Sequence, residues 1–148
     1  KMILISHRGN LDGESNYENN PDIIEKVINL GYDVEVDLRL NDGKLYLGHD
    51  NPEYLITDNW LLDKKDKLWV HCKDLKTIEK LSCNSIFQNV NYFFHEEDKL
   101  TITSKGFLWV YPGYQPLKNS IAVLPEKHNE DISNCIGVCS DYIKSYKK

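Results

Sequence analysis

No segment of the chain approaches the roughly 20 consecutive apolar residues that a membrane helix requires. The longest apolar run near the start, Met2 to Ile5, is also too short for the core of a secretion signal. A soluble protein of the cytoplasm is the expectation. Basic charge is scarce too, with 18 Lys and Arg against 23 Asp and Glu and a net charge of -5. The positive excess by which most nucleic-acid binders hold a phosphate backbone is missing, so no nucleic-acid partner is expected. The four cysteines, Cys72, Cys83, Cys135 and Cys139, lack the paired spacings of a zinc site and are too few for a disulfide scaffold. Reduced, mostly buried thiols follow. There is no internal repeat, low-complexity tract or Pro/Gly/Ser-rich linker, which excludes a solenoid and leaves residues 1–148 as one expected domain.

Short β-rich runs recur along the chain instead. Strands are predicted at Met2–Ser6, Asp33–Leu38, Leu45–His49, Leu68–Cys72, Asn91–Phe94, Phe107–Tyr111, Ser120–Leu124 and Cys135–Val138. A helix is predicted at Pro21–Leu30, with Asn20 as N-cap, Pro21 in the first turn and Gly31 as its stop. A second is predicted at Asp74–Leu81, with Leu75, Ile78 and Leu81 on one side. Alternating strands and helices argue for a parallel sheet wound with helices. One connection breaks the alternation: Asn41-Asp42-Gly43-Lys44 is too short for a parallel crossover and carries the Asp-Gly of a tight hairpin. The predicted fold class is α/β, a small, trimmed TIM-barrel-like fold with about seven main strands, a β-hairpin after the second and reduced outer helices, since a full barrel takes roughly 250 residues. The Pro112–Asn119 linker is too short for a proper helix, so the C-terminal half should be the irregular one. Lys144, Lys147 and Lys148 read as a charged tail.

The run Val34-Glu35-Val36-Asp37-Leu38 alternates without error, placing two carboxylates on one face and three aliphatics on the other. Two oxygen donors on neighbouring same-face positions suit a hard divalent cation, although an ordinary half-buried strand with its acids in water alternates in the same way. In a wound α/β domain the polar face would line the barrel near the active mouth, where unpaired buried carboxylates are too costly to keep. His7-Arg8-Gly9 closes the first strand and His49-Asp50 closes the return strand of the hairpin. Both stand where strand passes into loop, the usual position of chemistry in such folds, and an arginine there can grip a phosphate through two hydrogen bonds.

His7-Arg8-Gly9, Glu18-Asn19, Gly31, Glu35-x-Asp37, Asp42-Gly43 and His49-Asp50 together resemble, in order and spacing, the N-terminal signature of the glycerophosphodiester phosphodiesterase family. The wider group of barrel phosphodiesterases, which includes the phosphatidylinositol phospholipases C, looks similar. The resemblance implies His7 and His49 as general acid and base, Arg8 as a phosphate ligand, and Glu35 and Asp37 as metal ligands. Further along, where the family has Glu-x-Lys, this chain reads His71-Cys72-Lys73. Lys73 matches the residue that neutralises the phosphate, while His71 stands in place of the third acidic ligand. By period two it shares a face with Lys73 and can still reach the metal. The resulting site of two carboxylates and one imidazole leans away from Ca²⁺. Mg²⁺ is expected first, with Mn²⁺, Ca²⁺ or Zn²⁺ as alternatives. Gly137 to Tyr142 looks like the closing strand of the family, where a Thr-Asp pair is usual.

The resemblance therefore implies a metal-dependent phosphodiester hydrolase acting on a small glycerophosphodiester-like substrate. Trp109, with Tyr111 and Pro112, is a candidate for the substrate pocket, as is the acidic cluster after His95. The segment between Asp50 and Lys67 is short, predicting a shallow, open pocket for a bulky head group. Strand faces left bare by missing helices are a surface that a second copy could cover in a homo-oligomer. Two other classes stay open: a binding module on a decayed barrel, and a nuclease using the same histidines and metal.

Overall fold

The computed structural model of the chain describes residues 1–146. Lys147 and Lys148 of the expected tail lie outside the described residues, while Lys144 sits in a 3-10 turn whose amide donates to Leu11 O at 3.1 Å. Local chemistry accounts for the elements of the first half. Strand β1 covers Ile3–His7, and helix α1 covers Pro21–Asn29. The helix starts where the Asn20 side chain accepts from the Asp22 amide and ends just before Gly31, whose φ of 102° a side chain would resist. Strand β2, Asp33–Asn41, runs into Asp42 and Gly43, both with positive φ, and returns antiparallel as β3, Lys44–Leu47. A third antiparallel strand, β4 at Tyr54–Ile56, follows, and then α2 at Asp58–Asp63, capped by Thr57. Strand β5, Leu68–Cys72, leads into α3, Leu75–Cys83, whose first turn is capped by Asp74.

The remaining strands are β6 at Asn91–Phe94, β7 at Leu100–Ile102, β8 at Leu108–Val110, β9 at Ser120–Val123 and β10 at Gly137–Ser140. In space, β6, β5, β2, β1, β10, β9 and β8 lie side by side in that order, each parallel to its neighbour. The β3–β4 pair adds antiparallel to the far end of β2, and β7 adds antiparallel to β8. Among the described residues the result is a curled mixed sheet of ten strands, a half-barrel, with only three short α-helices.

This corrects the expected trimmed TIM-barrel-like (β/α) fold, because the described residues form no ring of outer helices. Among the described residues no α-helix follows α3; the later connections make only 3-10 turns and loops. Pro112, Gly113 and Pro116 interrupt one of them, and in another the left-handed residues Leu124 and Asn129 bracket a single 3-10 turn, Pro125–Lys127. Such connections cannot supply both a helix and the turns at its ends. No helix among the described residues is long and apolar enough to cross a membrane.

The two faces of the sheet bury different cores. On the outer face Val34, Val36, Leu38 and Val70 pack with Ile24 and Val27 of α1, Leu61 of α2 and Leu81 of α3. The inner, concave face is filled by Ile5, Trp69, Phe93, Trp109, Ile121, Val123 and Cys139. Trp109 stacks on Trp69 with ring centroids 5.6 Å apart and leans on Phe93 at 4.8 Å. These large rings plug the concave side and form a floor beneath the carboxyl-terminal ends of the parallel strands.

Candidate functional site

Strand register decides which side chains stand above that floor. His7 of β1 pairs with Glu35 of β2, and Asp37 of β2 pairs with His71 of β5. Side chains alternate across a strand, so Glu35 and Asp37 share the inner face, and His71 follows Trp69 onto it. Glu35 is 2% exposed and Asp37 0%. His71 Nδ1 lies 3.5 Å from Asp37 Oδ1 and 3.7 Å from Glu35 Oε2. One donor atom from each of these buried side chains falls within 4.8 Å of the others, and the group could hold a metal ion.

The donor set fits a cation. Glu35 Oε1 and Asp37 Oδ1 are buried without hydrogen-bond partners, an expensive arrangement for carboxylates left alone. Burial pushes the Glu35 carboxyl up, but the neighbouring imidazoles and Arg8 outweigh it and hold the group at about 2. Asp37 is pushed the other way, upward, first by burial and then by the charge of Glu35. Two acids in one dry space resist ionising together unless positive charge joins them.

Around this group the chain is tightly tied. Arg8 and Asn19 both adopt the left-handed backbone region, with φ of 60° and 65°, and the Asn19 amide donates to Arg8 O at 2.9 Å. The turn brings Arg8 Nε to 3.1 Å from Asp37 Oδ2, close enough for an ion pair though not aligned as a hydrogen bond. Its Nη1 lies 3.2 Å from Glu18 Oε1. Asn19 uses both ends of its side chain on Asp37, donating to Oδ2 and accepting from the backbone N–H, each at 2.9 Å.

His7 is oriented from behind. Its Nδ1 lies 2.7 Å from Asp141 Oδ1, so Nε2 is left facing Glu35, 3.8 Å from Oε1. Burial opposes a charged imidazole, but the Asp141 hydrogen bond and the Glu35 charge prevail and raise its pKa above the ordinary value.

His49 sits apart from this buried group. Its side chain is 41% exposed and bonded to Asp50 at 2.8 Å. The hairpin holds it through Arg39, whose Nε donates to Gly48 O at 2.9 Å and whose Nη2 donates to His49 O. His7, Arg8, Glu35, His49, His71, Lys73 and Trp109 nevertheless line one cavity of about 570 Å³, and Asp37 lies directly behind it. Lys73 makes no ion pair among the described residues. Trp109 contributes to the floor and is only 1% exposed, so its ring meets the core more than the opening. None of residues 51–67 lines the cavity.

Of the pocket candidates read from the sequence, Tyr111, His95 and Glu96 do line the cavity. Arg39 and Asp141 escaped that reading, although Arg39 continues the alternation of Glu35 and Asp37, so period two was a usable signal. Asp141 follows β10 directly, but its meeting with His7 depends on β10 lying beside β1, which no local pattern encodes. Compared with family models, with curated proteins and with solved structures, the chain matches none.

Proposed function

We propose that this protein is a metal-dependent phosphodiester hydrolase acting on a glycerophosphodiester-like substrate. One observation carries the reading: a buried cation-ligand set and a carboxylate-backed imidazole open onto the same cavity. The motif order that resembles the glycerophosphodiester phosphodiesterases supports it from the sequence side.

A divalent cation on Glu35, Asp37 and His71 would polarise a phosphoryl oxygen. The chain's own residues do the rest. Arg8 and Lys73 bring positive charge to the cavity wall, where it offsets charge building on the phosphate. His7 donates its Nδ1–H to Asp141, which leaves Nε2 on the reactive side to take or return a proton. His49, on the rim, takes the complementary part. The floor of Trp109 and Phe93 keeps water from entering below, and the absence of residues 51–67 from the wall leaves room for a bulky head group.

The test is phosphorus NMR of the protein with a panel of glycerophosphodiesters, with added Mg²⁺ or Mn²⁺ and with chelator. Metal-dependent turnover that disappears in both His7→Ala and His49→Ala is expected. An unchanged phosphorus spectrum across the panel and both metals would leave a ligand-binding module as the better description. Cleavage of oligonucleotides in preference to the panel would favour a nuclease.

A further inference from the structure

The third ligand position is occupied by an imidazole whose free nitrogen is chosen by the backbone. His71 Nε2 lies 3.1 Å from the carbonyl oxygen of His95. A carbonyl can only accept, so Nε2 carries the proton and Nδ1 is the atom presented to Glu35 and Asp37. That carbonyl is itself held in place. The His95 ring stacks on Tyr111 with centroids 3.5 Å apart, and its Nε2 closes the loop onto Asp98 O at 2.5 Å. The His71 ring lies against Phe93 at 4.9 Å with 23° between planes, which limits rotation. A second partner that orients a ligating histidine in this way is a common accompaniment of metal sites.

Distances and charge point to the kind of metal. Donor atoms about 2.1 Å from a cation stand roughly 3 to 3.5 Å apart in octahedral or tetrahedral arrangements. The 3.5 and 3.7 Å separations of Nδ1 from the two carboxylates are close to that range and too long for hydrogen bonds. Hard cations draw their affinity from anionic oxygens. Here only two carboxylates are offered, and Asp37 Oδ2 is already engaged by Asn19 and Arg8. Arg8 also adds positive charge beside the site. An imidazole nitrogen adds little for Mg²⁺ or Ca²⁺ and much for first-row transition metals.

We propose that Glu35, Asp37 and Nδ1 of His71 form a transition-metal centre that selects Mn²⁺ or Zn²⁺ over Mg²⁺ and Ca²⁺. This deepens the hydrolase reading and rests on its ligand set, and it displaces the Mg²⁺ first expected from the sequence.

The test uses the full chain, stripped of metal and without substrate. Calorimetric titration should give Mn²⁺ and Zn²⁺ affinities at least about tenfold above those for Mg²⁺ and Ca²⁺, in line with the donor preferences of these ions. Pulsed electron paramagnetic resonance of bound Mn²⁺ should show coupling to a single imidazole nitrogen, absent in His71→Ala. His71→Glu should shift the preference toward Mg²⁺ and Ca²⁺. Equal affinity for Mg²⁺ and Mn²⁺, no nitrogen coupling in the unaltered protein, or no binding of any cation would overturn the proposal, and none of the three needs a variant to fold. Nitrogen-coupled Mn²⁺ without phosphodiester turnover would defeat the hydrolase reading alone, while turnover on a centre lacking that coupling would defeat the metal assignment alone.

Discussion

His7 Nδ1 and Asp141 Oδ1 stand 2.7 Å apart although 134 residues separate them in the chain. Asn10 donates to the same oxygen at 2.9 Å and to Glu18 at 2.7 Å, linking the pair to the ion pair of Arg8. The contact shifts both groups. His7 is raised despite its burial, and Asp141 is lowered although burial alone would raise it, because each stabilises the charge of the other.

A pH dependence of stability follows from those directions. A raised histidine contributes stability that is present below its unfolded pKa of about 6.5 and is lost as pH rises through the folded value. A lowered aspartate contributes stability that is present above about 3.9 and is lost as pH falls through its folded value. In chelator, the pair's own contribution should therefore be largest between about pH 4 and 6.5, and the melting-temperature difference between the unaltered chain and Asp141→Asn should peak there and shrink on either side. On the proposed reaction, the same substitution should lower kcat by roughly 10² to 10⁴, the range in which positioned acid–base groups act. An Asp141→Asn profile that overlays the original at every pH would show that the pair is uncharged.

Asn19 should matter more to stability than a polar loop residue usually does. Its side chain satisfies both the backbone N–H and a carboxylate oxygen of Asp37, a residue with no exposed surface. Asn19→Ala leaves the Asp37 N–H buried and unpaired and its Oδ2 with the Arg8 ion pair alone, and should cost about 2–4 kcal/mol in urea unfolding. Asn19→Asp should fare worse in metal-free protein, since it sets a third carboxylate beside Asp37 and Glu35.

Two glycines of the hairpin region should respond differently to alanine. A Cβ on Gly48 would stand 1.9 Å from Asn51 O, so the backbone that carries His49 must move. Gly48→Ala should destabilise the fold by about 2–4 kcal/mol, within the tail of large single-residue effects. It should also loosen the Arg39 bonds to Gly48 and His49. A Cβ on Gly43 meets nothing within 4 Å, and only its φ of 75° opposes a side chain. Gly43→Ala should cost about 1–2 kcal/mol and leave the cavity intact.

Trp109 lies where the floor of the cavity and the inner core are one object. It is 1% exposed and touches the rings of both Trp69 and Phe93. Trp109→Ala should cost about 3–5 kcal/mol, the range for removing a large aromatic side chain from a core. Trp109→Phe should recover most of that loss. If both variants instead kept full stability while substrate affinity fell, the ring would belong to the opening rather than the core.

The alternation of Val34 to Leu38 already placed Glu35 and Asp37 together, because a strand has one period whatever surrounds it. Asn20, Pro21 and Gly31 marked the ends of α1, and Asp42-Gly43 marked the turn into β3, for equally local reasons. His71 and Lys73 were legible as same-face neighbours. The irregular second half followed from the short Pro112–Asn119 linker, but the barrel-like closure did not hold, because a strand pattern says nothing about how a connection returns. There, β7 pairs antiparallel to β8, and loops with single 3-10 turns run between the last strands.

By itself the sequence determined strand periodicity, helix ends, the hairpin turn and which side chains share a face, since each depends on residues a few positions apart. Only the tertiary structure decided that the sheet curls, that β10 lies beside β1 and so gives His7 its Asp141, and that the His95 carbonyl chooses the nitrogen of His71. Those relations come from pairing between distant segments, where the free energy lies in burying the shared concave core rather than in any local preference of the chain.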